Sequence, residues 1–446
     1  MATFYCELAW LGGDCAAADV IIETDGDRIV AVTPDAGSAP AAATELAGLT
    51  LPGLANAHSH AFHRVLRGRT HGGTGSFWTW RDQMYAVAAA LDPERYHRLA
   101  RAVFGEMVRA GITVVGEFHY IHHGANGVLY EPPNAMGRAV IAAAADAGLR
   151  LTLLDTCYLH GGIGVALDET QQRFSDGDAS TWAARATALA DELDSSPMVR
   201  IGAAVHSVRA VDPAAMEVVA AWAAARDAPL HAHVSEQPGE NEQCLDAYGV
   251  TPVELLAERG LLGPRFTAVH ATHVTEGNAD RLGAAGAWCC FCPTTEKELA
   301  DGIGPARTLV DAGARLALGS DSHAVIDLLE EARAVELHER LSTNVRGSFN
   351  PGALLTMATA HGYASLGWPE GGRLEAGTLA DFVTIGADSV RTAGLAGDPL
   401  GVVVFAAGAA DVRHVVVGGE VVVADSRHVR LDVESELRSA LAEIGP

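Results

Sequence analysis

Lysine is almost absent from this chain. Among 446 residues only Lys297 is a lysine; the other 30 basic residues are arginine, set against 56 Asp and Glu, for a formal charge of −25. No basic stretch offsets that charge, which excludes nucleic acid and anionic membrane surfaces as expected partners. Long apolar runs are missing too. A membrane-spanning helix needs roughly 18 uncharged apolar residues, and the nearest stretch, Val402 to Ala410, ends at Asp411. At Met1-Ala-Thr-Phe-Tyr-Cys-Glu-Leu no basic segment precedes an apolar run, so no secretory leader is expected. Seven cysteines, an odd number, then read as reduced thiols in a cytoplasm. Cys289, Cys290 and Cys292 match none of the usual zinc spacings and lie in an apolar run, which assigns them to core packing. Internal repeats are absent, as is low complexity beyond an enrichment in alanine.

What is present is an ordinary globular composition, 49% hydrophobic and 20% charged. Both ends carry short β segments. Ala18–Glu23 and Arg28–Thr33 read as a hairpin about a Thr-Asp-Gly-Asp turn. Asp381–Ile385, Val402–Ala406 and Val412–Val423, broken by Gly418-Gly419, give the same signal near the other end. Between them short apolar strands alternate with Ala-rich helical stretches, the mark of a parallel sheet. Eight strands are expected: Thr50–Ala57, Ile112–Phe118, Arg150–Cys157, Val199–Val205, Pro229–His233, Phe266–His270, Ala287–Cys292 and Arg315–Ser320. Helices such as Pro93–Ala110 and Ala214–Arg226 separate them, the first opening with Asp92-Pro93 as cap and first turn. Eight such units close a (β/α)8 barrel, and a doubly wound open sheet is the competing topology.

The polar residues favour the barrel, because they fall at the C-terminal ends of strands, where barrel enzymes keep their reactive groups. Strand one delivers His58 and His60, strand two Glu117, His119 and Tyr120, strand four His206, strand five His233 and Glu236, strand six His270 and strand eight Asp321. In His58-Ser59-His60 the two imidazoles share one face of a strand and can bind one cation. His233 and Asp321 complete a set of three nitrogens and one carboxylate, which suits one divalent metal, Zn²⁺ first among them. His231 competes with His233; His233 is preferred because Glu236, three residues on, reaches just beyond the strand end, leaving His231 as a buried, hydrogen-bonded histidine.

Leu-Pro-Gly-Leu-Ala-Asn-Ala-His58-Ser-His60, His233 with Glu236, Val-His270-Ala-Thr-His273 and Gly319-Ser-Asp321-Ser-His resemble the amidohydrolase superfamily, in its deaminase branch. His58-Ser-His-Ala-Phe-His-Arg64, Ser76-Phe-Trp-Thr-Trp-Arg81, Glu117-Phe-His-Tyr120, His206-Ser-Val-Arg209 and Thr295-Glu-Lys-Glu-Leu-Ala-Asp-Gly302 are similar to the N-formimino-L-glutamate deiminases of histidine catabolism. The resemblance implies a barrel over 50–374 and a small β-sandwich built from both termini, 1–49 and 375–446. It implies a homodimer and a small anionic substrate held by Arg81, Tyr120, His206 and Arg209. One position departs from the family's pattern: where glutamine stands three residues past the second histidine of the pair, this chain has His63, assigned here as a further substrate contact. Two-metal relatives bridge their cations with a carbamylated lysine at the end of strand four. Here that strand ends at His206, so one metal is expected.

The implied reaction is hydrolysis of N-formimino-L-glutamate to N-formyl-L-glutamate and ammonia by metal-activated hydroxide. Asp321 would take the water proton, Glu236 would pass a proton to the departing nitrogen, and His270 would orient the nucleophile or stabilise charge. His119, His122, His123, His160, His273 and His323 are left to supporting or structural roles. Two alternatives stand beside this reading. One is an aminohydrolase of a purine, pyrimidine or triazine ring, whose pocket calls for stacking and amide groups rather than two arginines. The other is a non-catalytic barrel kept as an interaction module, which an intact set of six polar residues opposes.

Overall fold

The computed structural model describes residues 1–70, 77–395 and 397–444. Among the described residues sixteen strands divide into two sheets. Four precede the barrel: β1 (Ala2–Ala9), β2 (Ala17–Asp25), β3 (Arg28–Thr33) and β4 (Thr44–Pro52). The barrel strands are β5 (Leu54–Ser59), β6 (Ile112–His119), β7 (Arg150–Cys157), β8 (Val199–Val205), β9 (Leu230–Val234), β10 (Phe266–His270), β11 (Trp288–Phe291) and β12 (Arg315–Leu318). The last four are β13 (Phe382–Ile385), β14 (Val412–Val417), β15 (Glu420–Ala424) and β16 (Arg427–His428).

β5 to β12 lie side by side in sequence order and pair in parallel, as the alternation of strands and helices requires. The ring closes at the rim by a bridge between Ser59 and Asp321, where Asp321 N–H donates to His58 O at 3.0 Å and His60 N–H to Asp321 O at 3.2 Å. That closure joins the first and last strands of the barrel. It also brings residues 263 positions apart, His58 and Asp321, into one cluster. Inside, small side chains such as Ala55, Ala57, Val114 and Ala317 fill the barrel, and Tyr363, Leu366 and Trp368 plug its lower end. Gly116 makes room for that plug, since a Cβ there would stand 2.3 Å from Leu366 Cδ2.

The termini join in one mixed sheet of order β16-β15-β14-β13-β4-β1-β2-β3. Both ends of the chain therefore meet at β4 and β13, in register Thr50 with Thr384, whose hydroxyls are 3.0 Å apart. Two expectations are corrected. The strand expected over 50–57 is two strands, broken at Gly53, one in each sheet. A Cβ at Gly53 would meet Thr113 Oγ1 at 2.0 Å, so the close approach at the break admits only glycine. Val402–Ala406 is helical: Pro399–Phe405 forms a helix capped by Asp398, whose side chain accepts from Gly401 N–H, with Pro399 in its first turn. β1 (Ala2–Ala9) was not among the expected strands. In the region 375–446, the helix Val433–Ile444 leaves the sheet and lies along the barrel helix Pro93–Arg109, where Arg101 meets Glu436 at 2.9 Å. Asp92 caps that barrel helix as expected, accepting from Arg95 N–H. Among the described residues no helix is long and apolar enough to cross a membrane.

Candidate active site

The rim histidines converge with their orientations already set. His60 Nδ1–H donates to Phe118 O at 3.0 Å, and His233 Nδ1–H to His206 O at 2.8 Å. Each ring therefore presents a bare Nε2 inward. His60 Nε2 stands 3.4 Å from Asp321 Oδ1, His58 Nε2 3.3 Å from the same oxygen, and His233 Nε2 3.2 Å from His58 Nε2. All four side chains are buried. Burial lowers the pKa of His58, His60 and His233, so the imidazoles are neutral. Asp321 goes the other way: burial would raise it, yet His58, His270 and His60 outweigh burial and hold its carboxyl below the usual range.

This arrangement has more lone pairs than protons. Only His58 Nε2 could carry a hydrogen among four converging acceptors, and His58 Nδ1 is itself buried without a partner. A divalent cation would resolve the surplus, and three nitrogens with one carboxylate is a zinc-type donor set. Ligand atoms of His58, His60 and Asp321 lie within 4.8 Å of one another, as do those of His58, His233 and His270. Cys292 packs in the barrel core as expected, and its thiol also lies within 4.8 Å of ligand atoms of His270 and Asp321. Cys289 and Cys290 are buried free thiols, as expected.

The backbone is bent to make this possible. Ser235 (φ 52°), His270 (φ 68°), Asp321 (φ 43°) and His323 (φ 60°) all occupy the left-handed region, which costs about 1–3 kcal/mol each. Beneath them, Ser59 Oγ–H donates to Glu117 Oε2 and Ala61 N–H to Glu117 Oε1, both at 2.6 Å. Glu117 thus faces the backbone under the histidine pair rather than the pocket, and burial raises its pKa to about 7. His323 bridges Ser59 Oγ and Ser320 Oγ, tying the first and last barrel strands together.

Above the cluster opens a pocket of about 800 Å³, continuous with solvent. It brings together His60, His233, Glu236, His270 and Asp321 with Arg81, Tyr120, His206, Arg209 and His63. His270 Nε2 lies 3.8 Å from Glu236 and 3.9 Å from Asp321, and its Nδ1 3.5 Å from Glu296. Burial opposes its charge, but Glu236 and then Glu296 and Asp321 outweigh burial and raise its pKa. Arg209 reaches Glu236 at 3.4 Å and Glu240 at 3.3 Å. His63 Nε2 meets Tyr120 OH at 3.1 Å, and burial lowers its pKa to about 3. Of the segment 76–81, side chains are described from Trp80 onward, and Ser76 lies outside the described residues.

Over residues 49–422 the chain matches the amidohydrolase family. The chain belongs to the amidohydrolase family. Members of this family are metal-dependent hydrolases, in keeping with the donor set above. The chain is 36% identical to formimidoylglutamate deiminase of Pseudomonas aeruginosa over 96% of this chain and 94% of that one. It is 31% identical to 5-methylthioadenosine/S-adenosylhomocysteine deaminase of Natronomonas pharaonis, over 95% and 92%. Among solved structures it superposes on an amidohydrolase from Brucella melitensis with a TM-score of 0.92 at 34% identity, covering all of both chains. Atrazine chlorohydrolase of Arthrobacter aurescens, complexed with zinc, superposes with a TM-score of 0.89 at 25% identity, again over all of both chains. The chain is therefore an amidohydrolase of the deaminase kind.

The histidines to which the sequence assigned no part in the site have structural partners. His231 Nε2 faces Ser365 O at 3.1 Å, away from the cluster. His122 meets Thr156 O, His123 Asp176, His160 Asp212 and His273 Asp301 O, while the His119 ring stacks on Tyr96. Sequence reasoning missed Tyr85 and Tyr158, which line the pocket. Tyr158 directly follows β7, so its strand-end position could have marked it, whereas Tyr85 lies four residues past Arg81 in a helix and only the fold places it there.

Proposed function

We propose that this amidohydrolase is a deiminase that hydrolyses N-formimino-L-glutamate to N-formyl-L-glutamate and ammonia. One observation carries the reading: Arg81 and Arg209 line the same pocket as His60, His233 and Asp321. A glutamate derivative bears two carboxylates, and guanidinium is the side-chain group that binds carboxylates bidentately. With −25 overall, the chain repels a dianion at long range, so attraction has to be local. Similarity to formimidoylglutamate deiminase along almost the whole chain supports the same substrate.

His58, His60, His233 and Asp321 would hold one divalent cation, with Zn²⁺ the best match to the donors. Such a cation, when bound, lowers the pKa of water from about 15.7 to about 7. Asp321, kept ionised by its histidine neighbours, takes the proton of the attacking water. Glu236 passes a proton to the departing nitrogen, so that ammonia leaves rather than amide ion. His270, held cationic by the carboxylates around it, stabilises negative charge as it develops near the reacting carbon. Arg81, Tyr120, His206 and Arg209 bind the carboxylates, and His63 completes the wall beside Tyr120.

Ammonia release from N-formimino-L-glutamate, measured before chelation, after it and on return of Zn²⁺, tests the proposal. Release that is lost and restored is expected. No release by the metal-loaded protein would sink it. A ring aminohydrolase is the second reading, favoured by Tyr120, Tyr158 and Phe174 in the pocket wall and by the methylthioadenosine deaminase relatives. Ammonia from 5′-methylthioadenosine alone would establish that reading instead. The proposal extends to a homodimer acting in the cytoplasm in histidine catabolism; light scattering on the holoenzyme checks the dimer.

A further inference from the structure

One wall of the pocket carries two phenols that have no part in the scheme above. Tyr85 comes from the helix Phe77–Ala90 and Tyr158 from just beyond β7. Behind them, only 3% exposed, sits Gln171, at the start of the short turn Gln171–Phe174. The orientation of its amide is determined chemically. Its carboxamide faces the backbone N–H of Asp168 at 3.0 Å, and only the oxygen, Oε1, can accept that hydrogen. Gln171 N–H closes the same turn on Asp168 Oδ1 at 2.7 Å. The absence of a side chain at Gly161 leaves space for this arrangement, since a Cβ there would stand 2.7 Å from Gln171 Oε1.

Nε2 therefore faces the phenols and donates to both, to Tyr85 Oη at 2.9 Å and to Tyr158 Oη at 3.1 Å. Each phenol oxygen now accepts from Gln171, which turns its own O–H away from the amide. The two hydroxyls are 3.5 Å apart, the outer limit of a hydrogen bond, and a bond between them would occupy only one of the two protons. Among the described residues nothing else accepts from either. At least one phenolic proton is thus left to point into the pocket. The same wall carries cationic groups: the Arg81 guanidinium lies 5.4 Å over the Tyr85 ring, and Arg81 and Arg209 line the pocket together with Tyr158. Fixed donors beside guanidinium groups call for an anionic acceptor.

We infer that Tyr85 and Tyr158 are specificity-determining residues that donate hydrogen bonds to a substrate carboxylate, and that Gln171 is the positioning residue that directs their protons. This rests on the dicarboxylate substrate proposed above. Gln171 touches neither the pocket nor the reacting groups; it acts through the phenols.

Calorimetry of the zinc-loaded holoenzyme with glutarate, a dicarboxylate that cannot react, tests the inference. Tyr85→Phe and Tyr158→Phe together are expected to weaken glutarate about tenfold or more. Gln171→Glu, nearly isosteric, places an acceptor where the donor stood and draws the phenolic protons away from the pocket; the same loss is expected. In the Tyr85→Phe/Tyr158→Phe background, Gln171→Glu is expected to add little, because no phenolic proton remains to be redirected. An undiminished further loss there would mean that Gln171→Glu acts through its charge alone and would overturn the positioning role. Glutarate that binds the double phenylalanine variant as it binds the wild type, or that does not bind the wild type, overturns the inference as a whole. Ammonia release from N-formimino-L-glutamate, assayed alongside, separates the two claims. Weakened glutarate binding with no ammonia from the wild type removes the substrate proposal and keeps the carboxylate wall; ammonia release with unchanged glutarate binding does the reverse.

Discussion

At the lower end of the barrel Arg150 and Asp381 are both fully buried, and the pair is completely satisfied. Arg150 donates to Asp381 at 2.7 and 3.3 Å and to Pro197 O at 2.7 Å, while Asp381 also accepts from Tyr363 OH and Gly418 N–H. At the upper end the buried polar groups are just as dense, but their pairing is different. Bare Nε2 atoms of His60 and His233 face other acceptors, and the Nδ1 atoms of His58 and His63 lack hydrogen-bond partners. Buried polar groups that are all paired hold a structure together. Buried groups with a surplus of acceptors are arranged for something that comes from outside. Arg209 belongs to both kinds, lining the pocket while paired with Glu236 and Glu240.

The two ends should therefore fail in different ways. Asp321→Asn is expected to cut ammonia release by about 10³-fold or more, while the thermal midpoint of the metal-free protein changes little; a large loss of stability would make the rim as structural as the base. Asp381→Ala should do the opposite, costing about 3–5 kcal/mol of stability by denaturant titration because Arg150 is left buried and uncompensated, with turnover per folded molecule preserved. Glu117, beneath the rim, gives a pH signature. Its folded pKa of about 7 lies above the ordinary 4.5, so its contribution to stability is full below about 4.5 and is lost as pH rises through 7. Wild type should lose roughly 3 kcal/mol across that window relative to Glu117→Gln, because each tenfold change in proton affinity on folding is worth about 1.36 kcal/mol. Identical pH profiles for the two would contradict this. Arg209→Met is expected to raise KM for the glutamate substrate by roughly 10- to 100-fold, and to destabilise by stranding Glu240. In Arg209→Met/Glu240→Met stability should recover and KM should not, which separates the two roles of that arginine.

The barrel was legible because its strands are short apolar runs between Ala-rich helices, and seven of the eight lie within a residue or two of where the pattern puts them. The eighth ran together with β4, because apolar character does not reveal that Gly53 is where one sheet ends and the other begins. Val402–Ala406 failed for a related reason: a run of valines has strand character locally, but Asp398 and Pro399 start a helix that packs against the barrel's outer helices. The rim histidines and Asp321 were visible as polar interruptions at strand ends. Glu117 was visible too, yet its direction was not, and it turned out to support the His58-Ser59-His60 segment from below. Cys292 is core, as its neighbours indicate, and what the sequence did not reveal is that its thiol also comes within reach of His270 and Asp321.

By itself the sequence determined which chemistry was available: a histidine pair, further strand-end imidazoles and carboxylates, arginine as the dominant cation, and no lysine at the end of strand four. Its one lysine, Lys297, lies on the helix Pro293–Glu298 and pairs with Glu330 at 3.6 Å. Residue type and period-two or helical spacing are local properties, so they survive without a fold. Only the tertiary structure decided which lone pairs meet without a proton between them, and which phenolic protons Gln171 turns toward the pocket. Those are properties of distances between residues tens to hundreds of positions apart, set by the closure of the barrel at Ser59 and Asp321.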